Sequence, residues 1–406
     1  MKLLNIADAT ASYPLYLKSL AVRFPGYENL SYRDQYGVID RDHFVWGMPY
    51  HRTMGSMGYD VWNVDRGIKS LQHAWAREHG VDPTKLGRDD IVLAQARTFR
   101  PDVILYDPAD PVLLRKILDD VSSIRLVLGW VGSALTVGRT WDMIDLPLTC
   151  APESVSRLST MGLSAQHVNH SFDPAINEEL NRRTDAIPVS FIGSIVRRRE
   201  FHLTRERTLL EMRDAVPMSI YSPSAAVRPK DYLKIGAASV ASAGLSVLRQ
   251  TRLLPHLKSI AAIRTAERVA SPLRRPIHPG LAKRMRPGVY GMEYFQVLKN
   301  SDVSFNIHAD TSTSFASNIR LYEATGMESC LLTDWKVNLP ELYEPDVDVA
   351  VYRSVEEAVE KANWLLDHAR DREEIARAGM RRTLAAHTFK HRAQQIDEII
   401  REHLRH

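Results

Sequence analysis

Arg320 and Glu323 lie three residues apart in the run Asn318–Asp334, NIRLYEATGMESCLLTD, which reads as a short helix, a glycine stop and a buried strand. A guanidinium can grip phosphate oxygens through two parallel charge-assisted hydrogen bonds. A carboxylate one helical turn further on is a poor phosphate partner but a good acceptor for two sugar hydroxyls. The two side chains together suit a nucleotide-sugar. Upstream, a strand VSFNIH and a loop ADTSTSFA lead into the helix. Open parallel sheets bind ligands beyond the carboxyl ends of their strands, where this loop lies. Ser317 is a natural N-cap, and free N–H groups at a helix start attract phosphate. The competing reading is a surface pair at i, i+3 with no ligand. Spacing alone leaves both open.

Other residues of chemical interest are scattered. FIGSIVRRRE takes a strand into Gly193-Ser194 and then three arginines, Arg197, Arg198 and Arg199. Glycine lets a backbone approach a ligand closely, and the arginines suit a diphosphate or, equally, solvent. His170, in NHSFDP, falls at a candidate domain junction. Asp107 follows one strand and His308 another, which makes each a candidate base. The acidic pairs Asp107/Asp110 and Asp346/Asp348 lack a third ligand and read as turn chemistry, so no metal site is expected. No P-loop, G-x-S-x-G, H-E-x-x-H or complete G-x-G-x-x-G is present.

The elements that must hold these residues alternate. A first strand is expected at Lys2–Ile6, others at Val103–Tyr106 and 125–129, with helices between. Short apolar strands separated by helices argue for a parallel sheet covered on both faces. A second alternating block begins near Val189–Ile192, continues at Met218, and ends in an amphipathic helix, HTFKHRAQQIDEIIREHL. Two successive α/β sheets follow. The divisions expected are 1–170, 171–385 and a closing helix over 386–406.

The chain has 406 residues, 44% apolar and 25% charged, an ordinary globular composition. No apolar run reaches the roughly 18 residues of a membrane span. Cys150 and Cys330 sit in apolar runs and read as buried free thiols, which points to a cytoplasmic setting. Net charge is +4, but residues 222–288 hold thirteen Lys/Arg against two acids, leaving −7 for the remainder. That basic amphipathic stretch can lie on anionic lipid or pack on its own domain. Its scarcity of aromatics argues against nucleic acid as partner.

From VYGMEYFQVLKNSDVSFNIHAD through SNIRLYEATGMESCLLTD to HTFKHRAQQI, the second half resembles the C-terminal domain of group 1 glycosyltransferases. It is most similar to the CgeB-like, spore maturation-type branch. VSFIGS and NHSFDP extend the likeness backwards, and the first 165 residues resemble that branch's variable acceptor domain. The resemblance implies an α/β GT-B fold: two Rossmann-like parallel-sheet domains facing a cleft, here with a basic helical insertion in the second. It implies a nucleotide-diphosphate sugar as donor substrate, no other cofactor, no metal, a glycan or lipid-linked acceptor, and retention of configuration. By position, Glu323 matches the carboxylate that holds the ribose. Ser317, Asn318 and Ile319 match the helix-start amides near the diphosphate. Gly193 and Ser194 match the glycine turn facing it, and Arg320 the arginine of the branch's pattern. Arg320, with Arg198, would steady the leaving diphosphate. One position departs: the relatives' earlier glutamate, seven residues before Glu323, is Ala316 here. That departure keeps a second reading in play, a non-catalytic scaffold on the same fold. A nicotinamide-dependent enzyme would need the glycine fingerprint that is absent.

Overall fold

The computed structural model describes residues 1–8, 13, 15–107, 110–132, 139–180, 183–195, 202–224, 229–251, 254–257, 260–270 and 277–405. Within them the apolar runs pair into two six-stranded sheets, every pairing parallel. The first contains β1 (Lys2–Ala7), β2 (Asp60–Asp65), β3 (Val103–Tyr106), β4 (Leu126–Val131), β5 (Leu146–Thr149) and β6 (Gln166–His167), in the order β2-β1-β3-β4-β5-β6. The second contains β7 (Ile187–Ile192), β8 (Met218–Tyr221), β9 (Met285–Arg286), β10 (Ser301–Asn306), β11 (Cys330–Asp334) and β12 (Ala350–Tyr352), in the order β12-β11-β10-β7-β8-β9. The expected fold class is what the chain adopts.

Side-chain alternation along each strand builds a core on both faces. Leu4, Ile6, Ile104, Tyr106 and Val127 face one way, and Leu3, Val103, Leu105, Leu126 and Leu128 face the other. The second face is covered by the last helix, Phe389–Arg405, through Phe389, Ala393, Ile396 and Ile400. Burying each of these larger side chains contributes about 1.5–3 kcal/mol. The helix belongs in sequence to the second half but packs on the first sheet, and Tyr59 Oη donates to its Asp397 at 2.6 Å.

Each sheet has one point where strand order reverses, between β1 and β3 in the first and between β7 and β10 in the second. Such switch points open a crevice beyond the strand carboxyl ends. Asp8 and Asp107 flank the first crevice; Gly193 and Ile307 flank the second. The site is therefore placed by topology before any side chain is considered.

Two close glycine contacts fix the frame, one seating the chain after the junction on the second sheet and one joining the halves. Gly326 ends the helix Arg320–Gly326 against the ring of Phe172, where a Cβ would lie 2.4 Å from the ring carbon. Gly291, at φ +58°, starts the helix Met292–Asn300 against Asp42, whose Oδ1 accepts the Met292 N–H at 3.4 Å. No residue with a Cβ fits either place without moving its neighbour.

Two local expectations shift. The helix beginning at Ser317 starts instead at Arg320. Asn318 Oδ1 accepts the Arg320 N–H at 2.7 Å and so caps it, while the Ser317 hydroxyl turns to Ser312 Oγ at 3.0 Å. A helix expected to open over Arg197–Glu200 falls on residues outside those described; the following helix runs Leu203–Met212.

Candidate functional site

A cleft of about 1000 Å³ lies between the two sheets' carboxyl edges. It gathers Asp107, Gly193, Ser194, Ser317, Asn318, Ile319, Arg320 and Glu323 into one lining. Arg198 lies outside the described residues. His308 does not line the cleft. Its side chain is fully buried, with Nδ1 2.7 Å from Asp334 Oδ1, which also accepts its backbone N–H at 3.0 Å. Position after a strand suggested a reactive histidine, but the ring turns into the protein.

Arg320 and Glu323 do not pair directly. The Tyr294 hydroxyl stands between them, accepting from Arg320 Nη1 and donating to Glu323 Oε2. The Arg320 guanidinium also lies 4.7 Å from the centre of the Tyr294 ring. Tyr294 thus fixes both groups on the cleft wall and takes the place of the i, i+3 surface pair. Burial pushes the Glu323 carboxyl above its ordinary value, while the Arg320 charge and the Tyr294 hydrogen bond pull it back.

Across the switch point stands Arg205, in the helix Leu203–Met212, which sequence reasoning passed over for the arginines at 197–199. Its Nη1 donates to Ser194 O at 2.9 Å and its Nη2 to Ile307 O at 2.7 Å, tying the turn after β7 to the end of β10. Gly193 makes room: a Cβ there would meet the Phe191 ring at 3.1 Å and Arg205 Nη1 at 3.6 Å. Burial, and after it the Arg320 charge, bring the Arg205 pKa down to about 10. It stays protonated at neutral pH. Among the described residues, neither Arg205 nor Arg320 has a carboxylate within ion-pair distance. Two guanidinium groups that repel each other across a cleft form a site for an anion with more than one charge. The signal in the sequence was an arginine in the first turn of the helix after the glycine turn.

The helix start offers less than expected. Asn318 Oδ1 holds the Arg320 N–H and Asn318 O the Leu321 N–H, so those two amides are already satisfied. Ala316 is fully buried in the core, its N–H and C=O both held by Asn338, at 2.6 and 3.1 Å. A glutamate at 316 would have to leave that core position to reach a ligand.

The opposite wall comes from the first sheet. Asp107 is exposed to the cleft, where the surrounding protein and then the nearby Asp8 charge push its carboxyl up to about 6. Trp46 and Trp130 lie with ring centres 4.4 Å apart, and His170 packs on Trp130 at 5.5 Å. Burial holds His170 neutral, with its pKa down to about 4. A loop of the second half is clasped to this wall, since Glu153 Oε1 accepts the N–H groups of Ser314 and Phe315 at 3.3 and 3.0 Å.

Asp334 is structural. Burial alone would raise its carboxyl, but His308 and the Lys336 ammonium 3.3 Å away hold it well below the usual range. A depressed carboxyl stabilises the fold above its unfolded pKa and loses that contribution as pH falls through the folded value. Asp334→Asn leaves Lys336 buried without its countercharge and should cost about 3 kcal/mol in urea denaturation at pH 7. An unchanged midpoint would remove Asp334 from the account of stability.

The family model described as glycosyl transferase-like matches residues 246–398. None of the curated proteins matches the chain in sequence. Among solved structures, a glycosyltransferase from Rickettsia africae superposes with a TM-score of 0.54 at 8% identity, over 99% of this chain and 98% of that one. The sucrose-phosphate synthase of Thermosynechococcus elongatus gives 0.51 at 9% identity, over 99% and 98%. Anabaena HepE in complex with UDP gives 0.52 at 13% identity, over 99% and 100%. Residues 246–398 are thus similar to a glycosyl transferase-like family, and the chain as a whole has the two-sheet GT-B fold of these structures.

Proposed function

We propose that the protein transfers a sugar from a nucleotide-diphosphate sugar to a hydroxyl of a glycan or lipid-linked acceptor. The observation that carries this reading is the pair Arg205 and Arg320, facing the cleft without carboxylate partners and with Glu323 beside them. The guanidinium groups meet the diphosphate and Glu323 accepts from the ribose hydroxyls. HepE, of the same fold, is known in complex with UDP-glucose, which agrees with a donor of this class. The bond from the anomeric carbon to the diphosphate oxygen breaks as the acceptor oxygen bonds to that carbon. Charge grows on the departing diphosphate, so fixed cations assist the transition state more than the ground state. In this reading the arginines, not a metal ion, meet that charge. Asp107, across the cleft, is the candidate acceptor for the hydroxyl proton. Retention of configuration and membership of the CgeB-like branch rest on the sequence resemblance.

The buried Ala316 favours one alternative, a non-catalytic scaffold on the same fold acting as a glycan- or coat-associated structural protein. Thermal shift with UDP, GDP, ADP, CMP, dTDP, their sugars and NAD separates the readings. One nucleoside diphosphate at about 100 times its Kd should stabilise the fold by about 2.7 kcal/mol, and Glu323→Ala should abolish that gain. Binding without release of nucleoside diphosphate from any acceptor mixture would favour the scaffold. A shift with none of the nucleotides would overturn the transfer reading and leave the scaffold.

A further inference from the structure

The segment between β8 and β9 takes no part in the cleft's donor-binding groups, yet it holds most of the chain's excess positive charge. Its described residues form the helices Pro229–Gln250 and Ala261–Ala270, which pack against each other. Among the residues of the long helix whose side chains are described, Ala238 and Leu245 are the buried ones. Leu233, Val240 and Val247 are 78, 75 and 57% exposed. They recur every seven residues, and seven residues turn an α-helix to within about 20° of two full turns, so the three form one straight stripe. Gly236, Ala237 and Gly244 fall beside it, and no charge interrupts it. Lys230 and Arg249 are exposed at the helix ends, and Arg264 and Arg268 are exposed one turn apart on the shorter helix. A helix this apolar on an outward face, in a chain whose cores are otherwise well covered, marks an interaction surface.

We propose that this helical hairpin docks the protein on an anionic lipid bilayer, with Leu233, Val240 and Val247 entering the interface and the surrounding arginines and lysines meeting lipid phosphates. Charge selects this occupant. Residues 222–288 carry +11 while the rest of the chain carries −7, so an anionic surface attracts this segment and repels the remainder, which orients the molecule. A second copy of the chain would bring two strongly positive segments together. Among the described residues no helix is long and apolar enough to cross a membrane, so the hairpin lies along the surface. Docking does not depend on the transfer reading, though it would bring the cleft to lipid-linked acceptors.

The test is co-sedimentation of the full chain with vesicles of phosphatidylcholine alone or mixed with phosphatidylglycerol. Binding is expected to the mixed vesicles, weakening as salt rises, with little to the neutral ones. The exposed triple variant Leu233→Ser/Val240→Ser/Val247→Ser should fold normally and bind at least about tenfold more weakly. Arg264→Gln/Arg268→Gln should weaken binding without changing the thermal midpoint. No binding to the anionic vesicles, or equal binding by the triple variant, overturns the proposal. So does a dimer in sedimentation velocity that the triple variant disperses while vesicle binding is absent, since the stripe would then join two copies.

Discussion

Arg205→Met should lower kcat for sugar transfer about a hundredfold to a thousandfold, with a smaller change in KM. The Arg205 guanidinium bridges Ser194 O and Ile307 O at the switch point of the second sheet and shares the cleft with Arg320. The donor already carries its diphosphate charge when it binds, so part of the attraction is spent equally in the ground state. The bond to the sugar then breaks and further charge gathers on the leaving oxygen. A cation held rigidly by two backbone carbonyls responds to that growth without reorganising, which is why kcat suffers more than KM. Arg205→Lys keeps the charge but cannot span both carbonyls, and should recover part of the rate. The substitution also strips two buried carbonyls of their donor, at about 1–3 kcal/mol of stability. Stability and rate are therefore to be measured on the same samples. A variant with a lowered melting temperature and an unchanged kcat would show Arg205 to be a strut between β7 and β10 and no more.

How far the sequence reveals this arrangement depends on what each residue's neighbours in sequence know about its neighbours in space. The strands were legible because parallel strands are buried on both faces and read as short apolar runs. Val103–Tyr106 has the bounds expected, and 125–129 is displaced by a residue or two to Leu126–Val131. Arg320 and Glu323 were legible as a pair with more to do than packing, but Tyr294, which holds them apart and in place, lies 26 residues upstream and carries no local mark. The helix start misled because Ser317 and Asn318 are both good caps; the structure uses Asn318, and Ser317 is taken by Ser312. His308 and Arg205 are mirror cases. A polar residue just past a strand can face the cleft or the core, and nothing local decides between them. His308 meets Asp334, brought alongside by β11, and is drawn inward. Arg205 meets two carbonyls whose strands end at the crevice, and its charge is left facing the cleft. Ala316 shows the same limit, since only the packing around Asn338 reveals that the position belongs to the core.

Acid should destabilise this protein early, with stability falling between pH 7 and pH 5. Three histidines are held neutral by burial: His170 and His387, each with its pKa down to about 4, and His202, down to about 3. His387 is locked as the neutral ring, with Nε2 3.1 Å from Leu342 O and Nδ1 3.2 Å from Arg392 Nη2. In the unfolded chain each titrates near 6.5, so below that pH the unfolded state binds protons that the folded state refuses. Each therefore withdraws about 2 kcal/mol by pH 5, and the loss levels off only near the folded pKa. Raised groups oppose it, among them Glu323, whose buried carboxyl is also relieved by protonation. His43 prefers its charged form beside Asp173 and Glu179, a contribution present below 6.5 and lost as pH rises. Asp107, raised to about 6, is strained as a carboxylate and relieved as it protonates. Asp107 returns about 1 kcal/mol, and His43 acts in the same direction, so the histidines prevail. Urea denaturation at pH 7, 6 and 5 reads the balance directly, and the double variant His170→Gln/His387→Gln should level the slope or reverse it. Stability that holds level or rises from pH 7 to 5 would mean that these rings take up protons in the folded state, and that water reaches the aromatic wall where His170 packs on Trp130.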